Sequence, residues 1–283
     1  MNFEKIKNIL INKKYLTQTY DLSGSNHPLD LIYNDFKGLA ANIPLERCRS
    51  NMLGYKHSGN PFVNTLVNYS HTKSNYSGSP LESFYKEYCP TSMKAVLNSN
   101  NIMLDKYHPM ATVMPWSTST PERKLLSTCV DIDAPNIFSK EAFKLGLPIH
   151  NNYGWQYFGP VSRDLGEFEY KRLISVYNSI QQNGYRPEQY GYIHGQFLIS
   201  DQDWVWVNIG GKHRFASLAA LNVQTIPVAL RSRSSALFVH RSDIDYWPNV
   251  KSGLFKKQDA LDIFDSIISG TIYCSSNPIS TQD

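Results

Sequence analysis

Cysteine is scarce and scattered in this chain. Its four cysteines, Cys48, Cys89, Cys129 and Cys274, lie far apart, and no two share the close spacing of a zinc site or a redox pair. That excludes a disulfide-stapled scaffold and agrees with reduced thiols in a cytosolic protein. Long apolar runs are missing too: no stretch approaches the ~20 residues of a membrane span. In the N-terminal MNFEKIKNILINKKYL, charge interrupts the apolar residues too often for a signal-peptide core, so a cytoplasmic location is expected. There is no internal repeat and no low-complexity tract. Charged residues make up only 18%, and a net charge of +4 neither demands nor excludes an anionic partner. What remains is a length of 283 residues, enough for a real core, with 41% hydrophobic residues and 18 tyrosines.

Regularity is unevenly distributed. The first part, to about residue 130, is rich in Asn, Ser, Tyr and Pro, with short helical signals only. Residues 3–10 place Phe3, Ile6, Ile9 and Leu10 on one face, and Ser79-Pro80 reads as an N-cap and first-turn proline for a helix over 80–88. Segments 20–30 and 50–78 read as long loops. From Asp164 the pattern sharpens. A helix carries Leu173, Val176, Tyr177 and Ile180 at helical spacing and stops at Asn183-Gly184. A strand over Tyr192–Ile199, a turn at Asp201 and Asp203, and a strand over Trp204–Ile209 follow. Gly210-Gly211 breaks the strand. A helix to Leu221, a strand over Thr225–Leu230, and an amphipathic helix over 256–269 with Ala260, Ile263, Phe264 and Ile267 complete the order. The expected fold class is α+β. It divides into an irregular region at 1–150, a core at 151–240 built as a small mixed sheet packed with helices, and a C-terminal helical extension with a polar tail at 241–283.

The junction Gly210-Gly211-Lys212-His213-Arg214 is a coherent anion site. Glycine lets backbone approach a phosphate, the first N–H groups of a helix lack intrahelical partners, and Lys212 and Arg214 add charge, with arginine able to clamp two oxygens. Taken alone the string is weak, since a strand-to-helix turn uses glycine anyway and basic residues at a helix start are often just solvated.

The longer run WVWVNIGGKHRFASLAALNVQTIPVAL resembles the signature of the ParB/sulfiredoxin superfamily, and residues 165–230 look like its nucleotide-binding domain. In that superfamily a strand enters a glycine-basic loop, an alanine-rich helix follows, and then a strand opens in Ile-Pro-Val. The sulfiredoxin loop, Gly-Gly-Cys-His-Arg, is the most similar. Sulfiredoxins also hold ATP with a set spaced i, i+3, i+7 on the preceding helix, matched here by Arg172, Ser175 and Ser179. A solvated helix face explains those three equally well. The resemblance implies a site for ATP or another nucleotide with Mg²⁺, made by Arg172, Ser175, Ser179, Gly210, Gly211, Lys212, His213 and Arg214. Lys212 stands where the reductase nucleophile would be, so sulfinic-acid reduction is not expected. No dedicated metal-ligand set is evident.

Relatives of this kind include CTP-binding chromosome-partitioning proteins that continue into a DNA-reading module, and free-serine kinases. The segments FGPVS at 158–162 and SDIDYWPNVKSGLFKKQDALDIFDSII also resemble ParB-like proteins associated with bacterial surface-polysaccharide gene clusters. The expectation is an ATP-dependent kinase acting on a small or sugar-linked hydroxyl acceptor. The alternatives are a nucleotide-binding regulatory or DNA-associated protein without catalysis, and a silent scaffold. Nucleic acid is not an expected partner: about fifty residues after the core leave little room for a helix-turn-helix, and Arg231, Arg233, His240 and Arg241 read as a solvated face. A kinase needs a base, and Glu167 and Glu169 are the candidates, although acidic residues early in a helix also complement its dipole. His194 reads as a structural histidine. Tyr153, Trp155 and Tyr157 are candidates for stacking on a base, and His108-Pro109 with Met114-Pro115-Trp116 for a rigid loop over the pocket.

Overall fold

A computed structural model describes residues 19–24, 26–33, 40–50, 56–128, 146, 154, 157–201, 203–230 and 236–270. The expected helix at 3–10, and Cys129, Cys274, Tyr153, Trp155, Arg231 and Arg233, lie outside them. Among the described residues the elements are β1 (Thr19–Asp21), β2 (Ala40–Pro44), β3 (Cys48–Ser50), α1 (Pro61–Thr72), α2 (Pro80–Glu87), α3 (Met93–Leu97), α4 (Pro121–Thr128), α5 (Arg163–Asn183), β4 (Ile193–Ser200), β5 (Asp203–Gly210), α6 (Lys212–Ala220), β6 (Thr225–Ala229), β7 (Phe238–His240) and α7 (Lys257–Ser269), with single helical turns between some of them.

The fold is α+β around one seven-stranded mixed sheet in the order β1-β2-β6-β4-β5-β3, with β7 also paired to β4. The central pair β4–β5 is antiparallel, running from His194 opposite Gly210 to Ser200 opposite Asp203. Alternation along these strands sorts two cores. Phe197, Trp204 and Trp206 face a core shared with Phe62 and Leu66 of α1, Tyr170 and Leu173 of α5, and Phe215 of α6. Leu198, Val205 and Val207 face the other core, with Met93 of α3, Trp116, Trp247, and Ile263, Phe264 and Ile267 of α7. Each such side chain, fully buried, contributes about 1.5–3 kcal/mol of transfer free energy.

The three segments expected from the sequence interlock. β2 from the first 150 residues pairs with β6, β3 pairs with β5, and α7 shares its core with α3. Buried side chains also tie the parts together, Arg49 with the most hydrogen bonds among the described residues. The guanidinium of Arg49, on β3, donates to the carbonyls of Ile267 and Ile268 at the end of α7 and of Glu46 and Cys48 in its own segment. It caps the last turn of α7 with positive charge.

Residues 50–78, expected as a loop, contain the twelve-residue helix α1, which corrects that expectation. Asn60 accepts from the N–H groups of Phe62 and Val63, Pro61 occupies the first turn, and Phe62, Val63, Thr65 and Leu66 form the buried face. The segment 20–30 likewise holds part of β1 and the start of a helical turn at Asp30–Tyr33. Ser79 and Pro80 start α2 as anticipated, with the Ser79 hydroxyl accepting from the Glu82 N–H. Gly184, at φ 74°, ends α5.

Candidate functional site

β5 ends at Gly210 and the chain turns directly into α6. Both glycines have local reasons to be there. A Cβ on Gly210 would sit 2.2 Å from the His194 ring across the strand pair. Gly211 has φ +85° and would press a Cβ to 2.9 Å from the Arg214 guanidinium. Beside this turn lies a cleft of about 350 Å³, lined by Tyr157, Arg172, Val176, Ile209 and the run Gly210 to Arg214.

Beneath the loop the charges are organised around Glu169. It projects from α5 and is only 1% exposed. Its Oε1 accepts a 2.7 Å hydrogen bond from His213 Nε2 and lies 3.2 Å from Lys212 Nζ. Its Oε2 has no hydrogen-bond partner, and Arg172 lies 4.0 Å from it. Burial pushes the carboxyl upward, but the Lys212 ammonium and the His213 hydrogen bond outweigh it and hold Glu169 at about 2. Burial pushes the His213 imidazole below its ordinary value despite the carboxylate beside it. At neutral pH the pair is therefore a carboxylate accepting from a neutral imidazole that carries its proton on Nε2, a tautomer inferred from the hydrogen bond. Lys212 Nζ also lies 4.4 Å from the Phe62 ring centre and 5.2 Å from that of Tyr157, so aromatic faces flank the ammonium. Tyr157 is held at the cleft by its neighbours: Phe158 is fully buried, and the Gly159 N–H donates to the Tyr88 carbonyl at 2.8 Å.

The sequence-predicted residues divide by face. Arg172, Gly210, Gly211, Lys212, His213 and Arg214 gather at this cleft. Ser175 and Ser179 do not join them. They line a shallower groove on α5 with Tyr170, Ile174 and Asn178. Glu167 points to the surface of α5, between Arg163 at 2.9 Å and Lys171 at 4.0 Å. Arg214 donates to the carbonyls of Tyr190 and Gly191, so its guanidinium also fastens the turn before β4. His194 is half-buried against Gly210. Met114 and Trp116 line a second cleft rather than a lid over this one. Arg241 makes a two-pronged ion pair with Asp265 of α7.

Two features near the turn, one at the site and one in the strand behind it, escape a reading of the sequence. Phe62, on a helix not anticipated, flanks Lys212. Asn208, fully buried two residues before Gly210, leaves both amide atoms without partners. Its only signal was a lone amide inside the aromatic-valine alternation of WVWVNIG. With three cations and one carboxylate, a cleft floored by a helix N-terminus is suited to a polyanion. Among the described residues no cluster of His, Cys, Asp and Glu could hold a metal ion by itself, and no helix is long and apolar enough to cross a membrane. No family model matches the chain, and neither a curated protein nor a solved structure matches it significantly.

Proposed function

We propose that the protein is a nucleotide-binding phosphotransferase with a ParB/sulfiredoxin-like core, which moves the terminal phosphoryl group of ATP to the hydroxyl of a small or sugar-linked acceptor. The observation that carries this reading is the strand–Gly-Gly–helix turn whose cleft gathers Arg172, Lys212 and Arg214 above the buried Glu169. The backbone at Gly210 and Gly211 and the start of α6 receive phosphate oxygens, and Arg172 and Arg214 supply charge-assisted hydrogen bonds. Mg²⁺ is usually held largely by nucleotide phosphates and water with one or two carboxylates. Here Mg²⁺ would arrive on the phosphates of the nucleotide, and Glu169 is left to act on the proton of the acceptor. When bound, Mg²⁺ neutralises charge on the phosphate oxygens.

In the reaction the acceptor oxygen forms a bond to the γ-phosphorus, the bond to the β-phosphate oxygen breaks, ADP leaves, and the acceptor proton passes to a base. Glu169 is that base. Phosphates drawing the Lys212 ammonium toward themselves remove the strongest influence holding the carboxyl down, and burial then raises it toward a useful range.

One observation favours a second reading, a nucleotide-binding regulator without turnover: while Lys212 stays paired, a carboxylate held at about 2 is a poor base. Release of ADP from ATP, followed by ³¹P NMR across a panel of hydroxyl compounds, separates the two. Turnover that requires one compound, and is lost in Glu169→Gln but not in Glu167→Gln, supports the kinase. ATP binding with no turnover under any acceptor supports the regulator.

A further inference from the structure

A second cleft, of about 280 Å³, opens on the α7 side of the sheet. A small metabolite, or the end group of a larger one, matches that scale. It meets the first cleft, since Tyr157 and Ile209 line both. Its polar groups are unusual for a merely structural crevice. Gln196, on β4, is 3% exposed and lines the cleft, yet its Oε1 has no hydrogen-bond partner. Lys124, on α4, lines it with a half-buried ammonium that no described residue pairs. Burial pushes that ammonium below its ordinary value. Thr112, Ser117 and the buried Trp116 complete the walls. An acceptor and a cation that no described residue matches, in one cavity, are costs that a bound molecule removes.

We propose that this second cleft is the acceptor pocket, and that the acceptor is a small hydroxyl compound carrying a carboxylate or phosphate that pairs with Lys124, with one of its hydroxyl or amine hydrogens donated to Gln196. The proposal rests on the nucleotide reading of the first cleft, because Tyr157 and Ile209 line both clefts and so place the acceptor beside the donor. A neutral polyol lacks the anion for Lys124.

The full chain would be titrated by calorimetry with D-glycerate, glycerol 3-phosphate and glycerol, and separately with ATP and Mg²⁺. Binding of glycerate or glycerol 3-phosphate but not of glycerol is expected, and whichever of the two binds more tightly identifies carboxylate or phosphate. Lys124→Met should weaken that binding at least tenfold, Lys124→Arg should restore most of it, and Gln196→Leu should weaken it severalfold. Unchanged thermal midpoints would show that the variants fold. The pocket is overturned if neither anion binds while ATP does, or if an anion binds equally to wild type and Lys124→Met. An anion that needs Lys124, in a protein that ignores ATP, would instead overturn the nucleotide reading and with it the role of acceptor.

Discussion

Replacing Glu169 with glutamine should destabilise the protein by about 3 kcal/mol at neutral pH, and the deficit should vanish in acid. Glutamine has the shape of a protonated glutamate, so the substitution isolates the charge. The folded carboxyl sits at about 2 against an ordinary 4.5, and each factor of ten in proton affinity is worth about 1.4 kcal/mol. Because the folded value is depressed, the stabilisation is fully present above about pH 5 and is lost as the pH falls through the folded value. More than half of it should be gone by about pH 3. The side chain is 2% exposed, so solvent screening takes little from the figure. Urea unfolding followed by the fluorescence of the buried Trp204 and Trp206, at about pH 7, 5, 4 and 3, would give the difference between the two proteins at each pH. A difference below about 1 kcal/mol at pH 7, or one of the same size at pH 7 and pH 3, would refute the reasoning, since either result would mean that Lys212 and His213 do not hold the carboxyl down.

Two further outcomes follow from the packing. Gly210→Ala drives a Cβ into the His194 ring at 2.2 Å; it should lower stability by about 1–3 kcal/mol as an overpacked site, and Gly210→Ala with His194→Ala should recover part of that in a double-mutant cycle by thermal denaturation. Arg49→Met removes the charged donor from the Ile267, Ile268, Glu46 and Cys48 carbonyls; at least about 3 kcal/mol should be lost in urea unfolding, with the amides of α7 showing faster hydrogen exchange.

How far these features are legible in the sequence depends on whether the determinant is local. The helix from Ser162 to Gly184 and the strand pair from Ile193 to Gly210 carry their own caps, periods and turn, and appear within a residue or two of the expected bounds. β2 is five residues, AANIP, buried at four of its positions and without alternation; only its partners β1 and β6 make it a strand. α1 is amphipathic, but its asparagines, histidine and serine suit a loop as well, and tertiary burial of Phe62 and Leu66 decides. In the site, the sequence offers Glu167 and Glu169 as alternative candidates for the base and does not choose between them. Residues two apart on a helix do not share a face, and here one meets Arg163 and the other Lys212. The charge balance around Glu169 depends on two segments distant in sequence, one with Glu169 and Arg172 and one with Lys212 and His213, and no spacing rule encodes it.

The measurement bearing most directly on the central claim is calorimetric titration of the full chain with ATP, ADP and CTP in the presence of Mg²⁺, repeated on Arg214→Ala. The account predicts binding of at least one nucleotide by the wild type, weakened by roughly ten- to hundredfold in the variant, since two charge-assisted hydrogen bonds are lost. No heat with any nucleotide at millimolar concentration would contradict it. So would equal affinity in Arg214→Ala, which would leave Arg214 as no more than the clasp on the Tyr190 and Gly191 carbonyls.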